Sequence, residues 1–190
     1  MKRVPTSHTR IIGGVWRSRR LAFAAVDGVR PTPDRVRETV FNWLREYTEG
    51  ARCLDLFAGS GAFGFEALSR GAAHVVMVDC DTRVIRQLQD NAMLLGATQA
   101  ITIASRAIDY LQRQPEHFDI VFLDPPYQSV TLEQCCTQLE QRGWLSPLAY
   151  IYIETHSAAE LPTLPPNWQL LRSKKAGQVG YHLLERTATA

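Results

Sequence analysis

This sequence predicts a three-layer α/β domain, with a mostly parallel sheet that ends in an antiparallel hairpin near the C-terminus. Three observations predict it. Short apolar runs at 53–57, 74–78, 100–104, 118–123 and 150–154 are separated by stretches whose apolar residues recur at helical spacing. A glycine-rich turn, Ala58-Gly59-Ser60-Gly61-Ala62-Phe63-Gly64, follows the first run. Two later runs, 168–172 and 181–186, flank the polar, glycine-containing stretch 173–180, which reads as a hairpin turn. Alternating strands and crossover helices place a ligand crevice beyond the carboxyl ends of the parallel strands. The 190 residues fit one domain with a full core, without internal repeats or a low-complexity segment.

The chain opens on a basic arm, residues 1–30. Up to Arg30, seven Lys/Arg stand against Asp27 alone, whereas the other 160 residues hold 14 basic and 18 acidic side chains. A basic arm on a mildly acidic body is the footprint of a polyanion ligand. The bland alternative is a solvated tail. Ile11-Ile12-Gly13-Gly14 and Trp16, set among the arginines, argue instead for a segment that orders against something. A helix then starts at Thr32-Pro33-Asp34: Thr32 can cap, Pro33 suits the first turn and Asp34 complements the positive helix end. Val36, Val40, Leu44 and Tyr47 give it a packed face, with Arg35, Arg37 and Glu38 on the other side and Gly50 as its stop.

The run 53–57 predicts the first buried strand, and a helix ending near Arg70-Gly71 follows its glycine turn. Gly59 and Gly61 allow a sharp turn and close approach of a ligand, while Gly64 allows tight helix-to-strand contact. The G-x-G-x-x-G spacing alone equally announces a dinucleotide dehydrogenase; its place after a strand points to a nucleotide-type ligand. Asp79 stands at the end of the second strand, where a carboxylate accepts both ribose hydroxyls and repels a 2′-phosphate. Asp81 reads as the cap of the next helix, with Val84, Leu88, Ala92 and Leu95 inward and Gly96 as its end. Ser105-Arg106-Ala107 follows the third strand, 100–104, where an adenine ring would lie, and 109–113 reads as a short helix.

The fourth strand, 118–123, ends in Asp124-Pro125-Pro126-Tyr127. The prolines lack N–H groups and fix φ, so backbone carbonyls point outward instead of closing a turn. A carboxylate, a carbonyl and an aromatic face then converge, which suits a flat ring bearing an amine. A helix over 132–142 and a fifth strand at 150–154 complete the pattern. Cys53, Cys80, Cys135 and Cys136 show neither C-x-x-C pairing nor zinc spacing, so reduced thiols are expected and no metal. Without a long apolar span or an N-terminal apolar h-region, the expectation is a soluble, unexported protein.

These motifs resemble the class I S-adenosylmethionine-dependent methyltransferases, which have a Rossmann-like sheet. Arg10-Ile11-Ile12-Gly13-Gly14, Trp16-Arg17, the stretch Arg30-Pro31-Thr32-Pro33-Asp34-Arg35 that runs on to Asn42, and Lys175-Ala176-Gly177-Gln178-Val179-Gly180-Tyr181 narrow the resemblance to RsmD-type 16S ribosomal RNA guanine-N2 methyltransferases. That resemblance implies methylation of the guanine at position 966 of the small subunit, with S-adenosylmethionine as cofactor. It implies cofactor contacts from Asp55, Phe57, Ala58, Gly59, Ser60, Gly61, Asp79, Cys80, Arg106, Ala107 and Asp124, and a catalytic set of Asp124, Pro125, Pro126 and Tyr127. Many related enzymes carry Asp or Asn where Arg106 stands, and a guanidinium cannot accept from an adenine amine. Ser105 or the Ala107 backbone is therefore expected to serve the adenine, with Arg106 turned outward. Arg10, Arg17, Arg19, Arg20, Arg30, Arg35, Lys174 and Lys175 are the expected RNA contacts. The implied setting is a cytoplasmic monomer acting on 16S rRNA within a 30S subunit or an assembly intermediate, away from membranes. Residue chemistry alone leaves open adenine N6 or cytosine N4 as the target, a DNA amino-methyltransferase, and a non-catalytic RNA-binding assembly factor.

Overall fold

The computed structural model describes residues 6–24, 32–126 and 131–188. In chain order its elements are β1 (Thr6–Arg10), β2 (Arg20–Ala24), α1 (Asp34–Trp43), β3 (Arg52–Asp55), α2 (Ala62–Ser69), β4 (His74–Asp79), α3 (Thr82–Leu95), β5 (Ala100–Ala104), α4 (Ala107–Tyr110), β6 (Phe118–Leu123), α5 (Thr131–Gln141), β7 (Leu145–His156), β8 (Trp168–Ala176) and β9 (Val179–Thr187). The apolar runs become adjacent strands of a seven-stranded sheet in the order β5-β4-β3-β6-β7-β9-β8. Strands β3 to β7 pair in parallel, and β9 joins β7 and β8 antiparallel.

Side chains alternate between two cores, as the period of a strand requires. Cys53, Val75, Met77, Ile120 and Phe122 face α1, α2 and α3 with Phe41, Phe63 and Phe65; Leu54, Val76, Val78 and Val121 face α4 and α5 with Tyr110, Leu139 and Trp144. Gly64 lies where a Cβ would strike Met77 and Val75, so α2 packs close on β4 as expected. Asp81 caps α3 by accepting from the Arg83 N–H at 2.8 Å, and Gly96 ends it in the left-handed region. Cys53, Cys135 and Cys136 are buried thiols and Cys80 is exposed. Among the described residues no helix is long and apolar enough to cross a membrane.

Five expectations need correction. The helix after the arm ends at Trp43 with Leu44 as its C-cap, so Tyr47 lies beyond it, stacked on Tyr150 at 3.9 Å between ring centres. Its N-cap is Pro33, because the Thr32 hydroxyl is engaged elsewhere. Arg37 is 1% exposed, its Nη2 donating to the Arg10 carbonyl at 2.8 Å and to Asp34 at 2.6 Å. The hairpin turn is only Gly177-Gln178, which puts Lys174 and Lys175 on β8 itself. The short helix α4 begins two residues earlier than the spacing predicts, at Ala107.

The arm is a docked element. β1 and β2 form a two-stranded antiparallel sheet that the sequence reading did not anticipate, and Ile11 and Leu21 sit in the main core. The fully buried Glu66 carboxylate of α2 accepts from the Ile12 and Gly13 N–H groups, each at 2.8 Å, and from Arg70 Nε at 2.8 Å. Ser69 accepts from the Trp16 N–H at 2.9 Å, and its carbonyl accepts from the Val15 N–H at 2.8 Å. Gly14, at φ +77°, has no room for a Cβ beside that Ser69 carbonyl.

At the far edge, Arg186 clamps Glu140 of α5 with Nη2 to Oε1 at 2.8 Å and Nε to Oε2 at 3.0 Å, and Trp168 and Asn167 add N–H donors at 2.8 and 3.0 Å. Burial alone would raise the Glu140 carboxyl, but Arg186, Trp168 and Asn167 outweigh it and hold it at about 2, below its ordinary 4.5. A lowered folded value gives stability that is present above the unfolded value and lost as pH falls from about 4.5 towards 2. Glu140→Gln is therefore expected to cost about 1–2 kcal/mol at pH 7 and almost nothing near pH 2, read by urea unfolding at both pH values.

Candidate active site

The parallel strands end on a row of acids. Asp55 closes β3, Asp79 closes β4 and Asp124 follows β6. Ile153 of β7 is in register with Leu123, so the next residues, Glu154 and Asp124, stand side by side. Four neighbouring strands, β4-β3-β6-β7, thus each bring a carboxylate to one edge of the sheet. The sequence reading missed Glu154, although the apolar run before it ends on an acid just as 118–123 ends on Asp124.

Asp79 is half-buried and shapes the glycine turn: its Oδ2 accepts from the Gly59 N–H at 3.0 Å and its Oδ1 from the Asp81 N–H at 2.9 Å. Burial raises its carboxyl, partly offset by those N–H bonds. Asp55 is fully enclosed and accepts from the Gly64 N–H at 3.2 Å, a strut that fixes the start of α2. Burial pushes it up to about 7, with Asp79 adding to the rise. Asp124 is raised well above the ordinary carboxylate range by burial, then by Glu154 and Asp55. The acids therefore sense one another along the edge, and that edge favours a cation.

The glycines divide their work. Gly59 and Gly61 both take positive φ, +49° and +74°. A Cβ on Gly61 would strike Leu88 and Phe65, so its bareness serves helix packing and not ligand approach, a correction to the expectation above. Phe57 is half-buried, Ala58 and Ser60 are buried, and Cys80 is exposed beside Asp79. Arg106 is turned outward, 74% exposed, with Nε 3.3 Å from Asp109. Ser105 donates its hydroxyl to the Arg106 carbonyl at 3.1 Å, and Ala107 is buried at the start of α4.

Pro125 is buried and Pro126 exposed, and with Glu154 both line a hollow of about 220 Å³ that is closed by Leu132 and Glu133 of α5 and by residues 155–162. Thr32 lies between the two acids, its hydroxyl 3.1 Å from Glu154 Oε2 and 3.4 Å from Asp124 Oδ2. Tyr127 and Arg30 lie outside the described residues. Arg10, Arg17, Arg19, Arg20, Arg35, Lys174 and Lys175 are all exposed. Arg10 is paired with Asp34 at 2.9 Å, and Lys174 lies over the Trp43 ring at 6.0 Å. Because β9 runs antiparallel to β7, with Tyr181 paired to both Glu154 and Lys174, the lysines stand at the acid end of the sheet.

The donor set fits S-adenosylmethionine. A half-buried acid, Asp79, stands beside a tight glycine turn and has the chemistry to accept ribose hydroxyls, and the acid row matches a positively charged sulfonium. That row opposes the pyrophosphate of a nicotinamide dinucleotide, which counts against the dehydrogenase alternative.

A family profile described as Conserved hypothetical protein 95 matches residues 9–185. Over 179 residues the chain is 48% identical to Ribosomal RNA small subunit methyltransferase D of Escherichia coli (strain K12), covering 94% of this chain and 90% of that protein. The protein of the same name from Haemophilus influenzae is 45% identical over 194 residues, covering 97% of this chain and all of its own. A solved Escherichia coli structure, given provisionally as a methyltransferase, superposes with a TM-score of 0.90 at 48% identity, covering 96% of this chain and 100% of that one.

Proposed function

This chain belongs to the RsmD family of ribosomal RNA small subunit methyltransferases, and from that premise we propose that its S-adenosylmethionine-dependent methylation of 16S rRNA falls on the exocyclic N2 amine of a guanine, the one at position 966. One observation carries the reading: Asp124, followed by Pro125 and Pro126, stands in the same acid row as the ribose acid Asp79. A methyl acceptor and a nucleoside-bearing donor then share one edge.

The guanine amine is a weak nucleophile because its lone pair is delocalised into the ring. Asp124 and a carbonyl of the 124–126 segment accept its two N–H groups and draw that pair back towards nitrogen. S-adenosylmethionine supplies an already activated methyl on its sulfonium, so the protein's contribution is chiefly position and charge. Asp79 holds the ribose hydroxyls, and Phe57 to Gly61 with Ala107 border the rest of that ligand. Asp124 is placed to take the proton the amine gives up. The target base must leave its stack, at a cost of a few kcal/mol, which favours a loop nucleotide. Arg10, Arg17, Arg19, Arg20 and Arg35, with Lys174 and Lys175, offset that cost through phosphate contacts. The substrate is a 30S subunit or an assembly intermediate in the cytoplasm, and the enzyme works as a monomer.

Methyl-labelled cofactor, incubated with small subunits from a strain lacking the gene, tests the reading. Nucleoside mass analysis is expected to return N2-methylguanosine; a methyl on an adenine or cytosine amine overturns it. A companion prediction concerns the arm. The charge-removing set Arg17→Gln, Arg19→Gln and Arg20→Gln, which leaves the Glu66 anchor intact, should weaken RNA binding and flatten its dependence on salt by about two to three phosphate contacts. An unchanged salt slope would return those arginines to mere solvation.

A further inference from the structure

The half of the sheet away from the arm carries a second concentration of positive charge. β8 is an edge strand with three cations, Arg172, Lys174 and Lys175, and no acid, and residues 172–175 are all exposed. Its register sorts them by face. Arg172 pairs with Leu183 and Lys174 with Tyr181, and both of those partners sit in the core beneath α1. Paired residues project to the same side, so Arg172 and Lys174 share the α1 face and Lys175 takes the other. Lys174 is also held in place: its Nζ lies 6.0 Å from the centre of the Trp43 ring, and Trp43 stacks on the buried Tyr181 at 5.4 Å. Charged edge strands ordinarily keep other chains from pairing, but that role needs no aromatic seat for one ammonium.

From this juxtaposition we propose that Arg172 and Lys174, the latter positioned by Trp43, form a second RNA track, separate from the arm, that holds phosphates of the strand flanking the target nucleotide. This deepens the methyltransferase reading above and rests on it for the RNA and for the place of the target. Two residues apart on one strand, the cations stand about 6.5 Å from each other along β8, a step close to that between successive phosphates of an extended RNA strand. Tyr181 is level with both Lys174 and Glu154, so the track opens at the acid end of the sheet. β8 lies three places along the sheet from β6, about 14 Å by strand spacing. The arm lies on the opposite side of Asp124: Glu66 of α2 anchors it, and Asn91 of α3, the helix over β4 and β5, donates to the Ala22 carbonyl at 2.8 Å. A phosphate chain laid over the acid row would be repelled. Basic surfaces on either side of that row let the backbone run to left and right while only the base enters.

The test is binding, read without methyl transfer. Affinity for a small-subunit RNA fragment carrying the target loop is measured across a salt series, with S-adenosylhomocysteine bound, for the wild type and for Arg172→Gln combined with Lys174→Gln. The double variant is expected to bind about tenfold more weakly near physiological salt and to lose about 1.5 from the salt slope. The same loss should appear in the background of Arg17→Gln, Arg19→Gln and Arg20→Gln, because separate surfaces add. Trp43→Leu should weaken binding about threefold, Trp43→Phe should bind as the wild type does, and neither should matter once Lys174 is replaced by Gln. Affinity for S-adenosylhomocysteine, unchanged in every variant, reports folding; the double variant alters only exposed side chains and stands on its own should Trp43→Leu fail to fold. An unchanged affinity and slope overturns the proposal, and self-association of that variant on a sizing column would then assign the charges to edge protection alone. A loss that disappears in the arm background overturns the separation of the two surfaces, and a Trp43→Leu loss undiminished by Lys174→Gln overturns the part given to Trp43. Absence of N2-methylguanosine from treated subunits would defeat the guanine reading instead and leave the binding result as it is, so the two failures are told apart.

Discussion

Asp124→Ala is expected to keep the affinity for S-adenosylhomocysteine within about threefold and to lose single-turnover methylation by about 10²–10⁴-fold. The two readouts separate because Asp79 and the Gly59 turn are held by their own bonds, whereas the proposed contact with the target amine lies beyond β6. The ionised carboxylate is the better acceptor, and Asp124 is raised by burial, Glu154 and Asp55. The methylation rate should therefore rise with pH through a value above the ordinary carboxylate range, and Asp124→Asn should remove that limb. The same raised value works against the fold: its stabilising proton is fully present below the ordinary 3.8 and lost as pH rises through the folded value. Asp124→Asn should consequently be at least as stable as the wild type at pH 8, measured by thermal unfolding. Single-turnover methylation by Asp124→Ala at the wild-type rate would remove Asp124 from the mechanism.

Glu66→Ala is expected to destabilise the whole domain by about 3–5 kcal/mol, lowering Tm on the order of 10 °C. Glu66 joins three things at once: the Ile12 and Gly13 N–H groups of the arm, Arg70 of its own helix, and the buried guanidinium of Arg37, whose Nη1 lies 3.8 Å away. Among the described residues Arg37 Nε and Nη1 have no hydrogen-bond partner, so removing Glu66 leaves a buried cation that, of those residues, only Asp34 and the Arg10 carbonyl balance. Glu66→Leu combined with Arg37→Met should be milder than the two single losses added together, because no uncompensated charge remains. The arm should also become protease-sensitive in Glu66→Ala. A Tm within about 2 °C of the wild type would mean that Ile11, Leu21 and the Ser69 bonds hold the arm without Glu66.

The parallel strands, α3 with its cap, and the acids Asp79 and Asp124 were legible in the sequence because each rests on a short-range signal: an apolar run, a period of 3.6, or a residue type at a strand end. What escaped reading depends on distant partners. Arg37 looked like a surface residue because its helical position is polar by type, yet Asp34, Glu66 and the Arg10 carbonyl balance its charge inside. Thr32 looked like a cap because threonine before proline often is one, but two carboxylates 92 and 122 residues away compete for its hydroxyl. Gly61 looked like room for a ligand, while the space is taken by Leu88 and Phe65. Glu154 was passed over as the end of a strand, since only the β6–β7 register shows that it stands next to Asp124.

All of this depends on a single edge of the sheet receiving both the methyl donor and the target amine. A crystal structure with S-adenosylhomocysteine and a target-loop RNA tests that most directly. The ribose hydroxyls should lie on the Asp79 carboxylate and the guanine amine on Asp124, with the donor sulfur facing that amine. A nucleoside bound away from Asp79, or a guanine seated where Asp124 cannot reach its amine, would contradict the account.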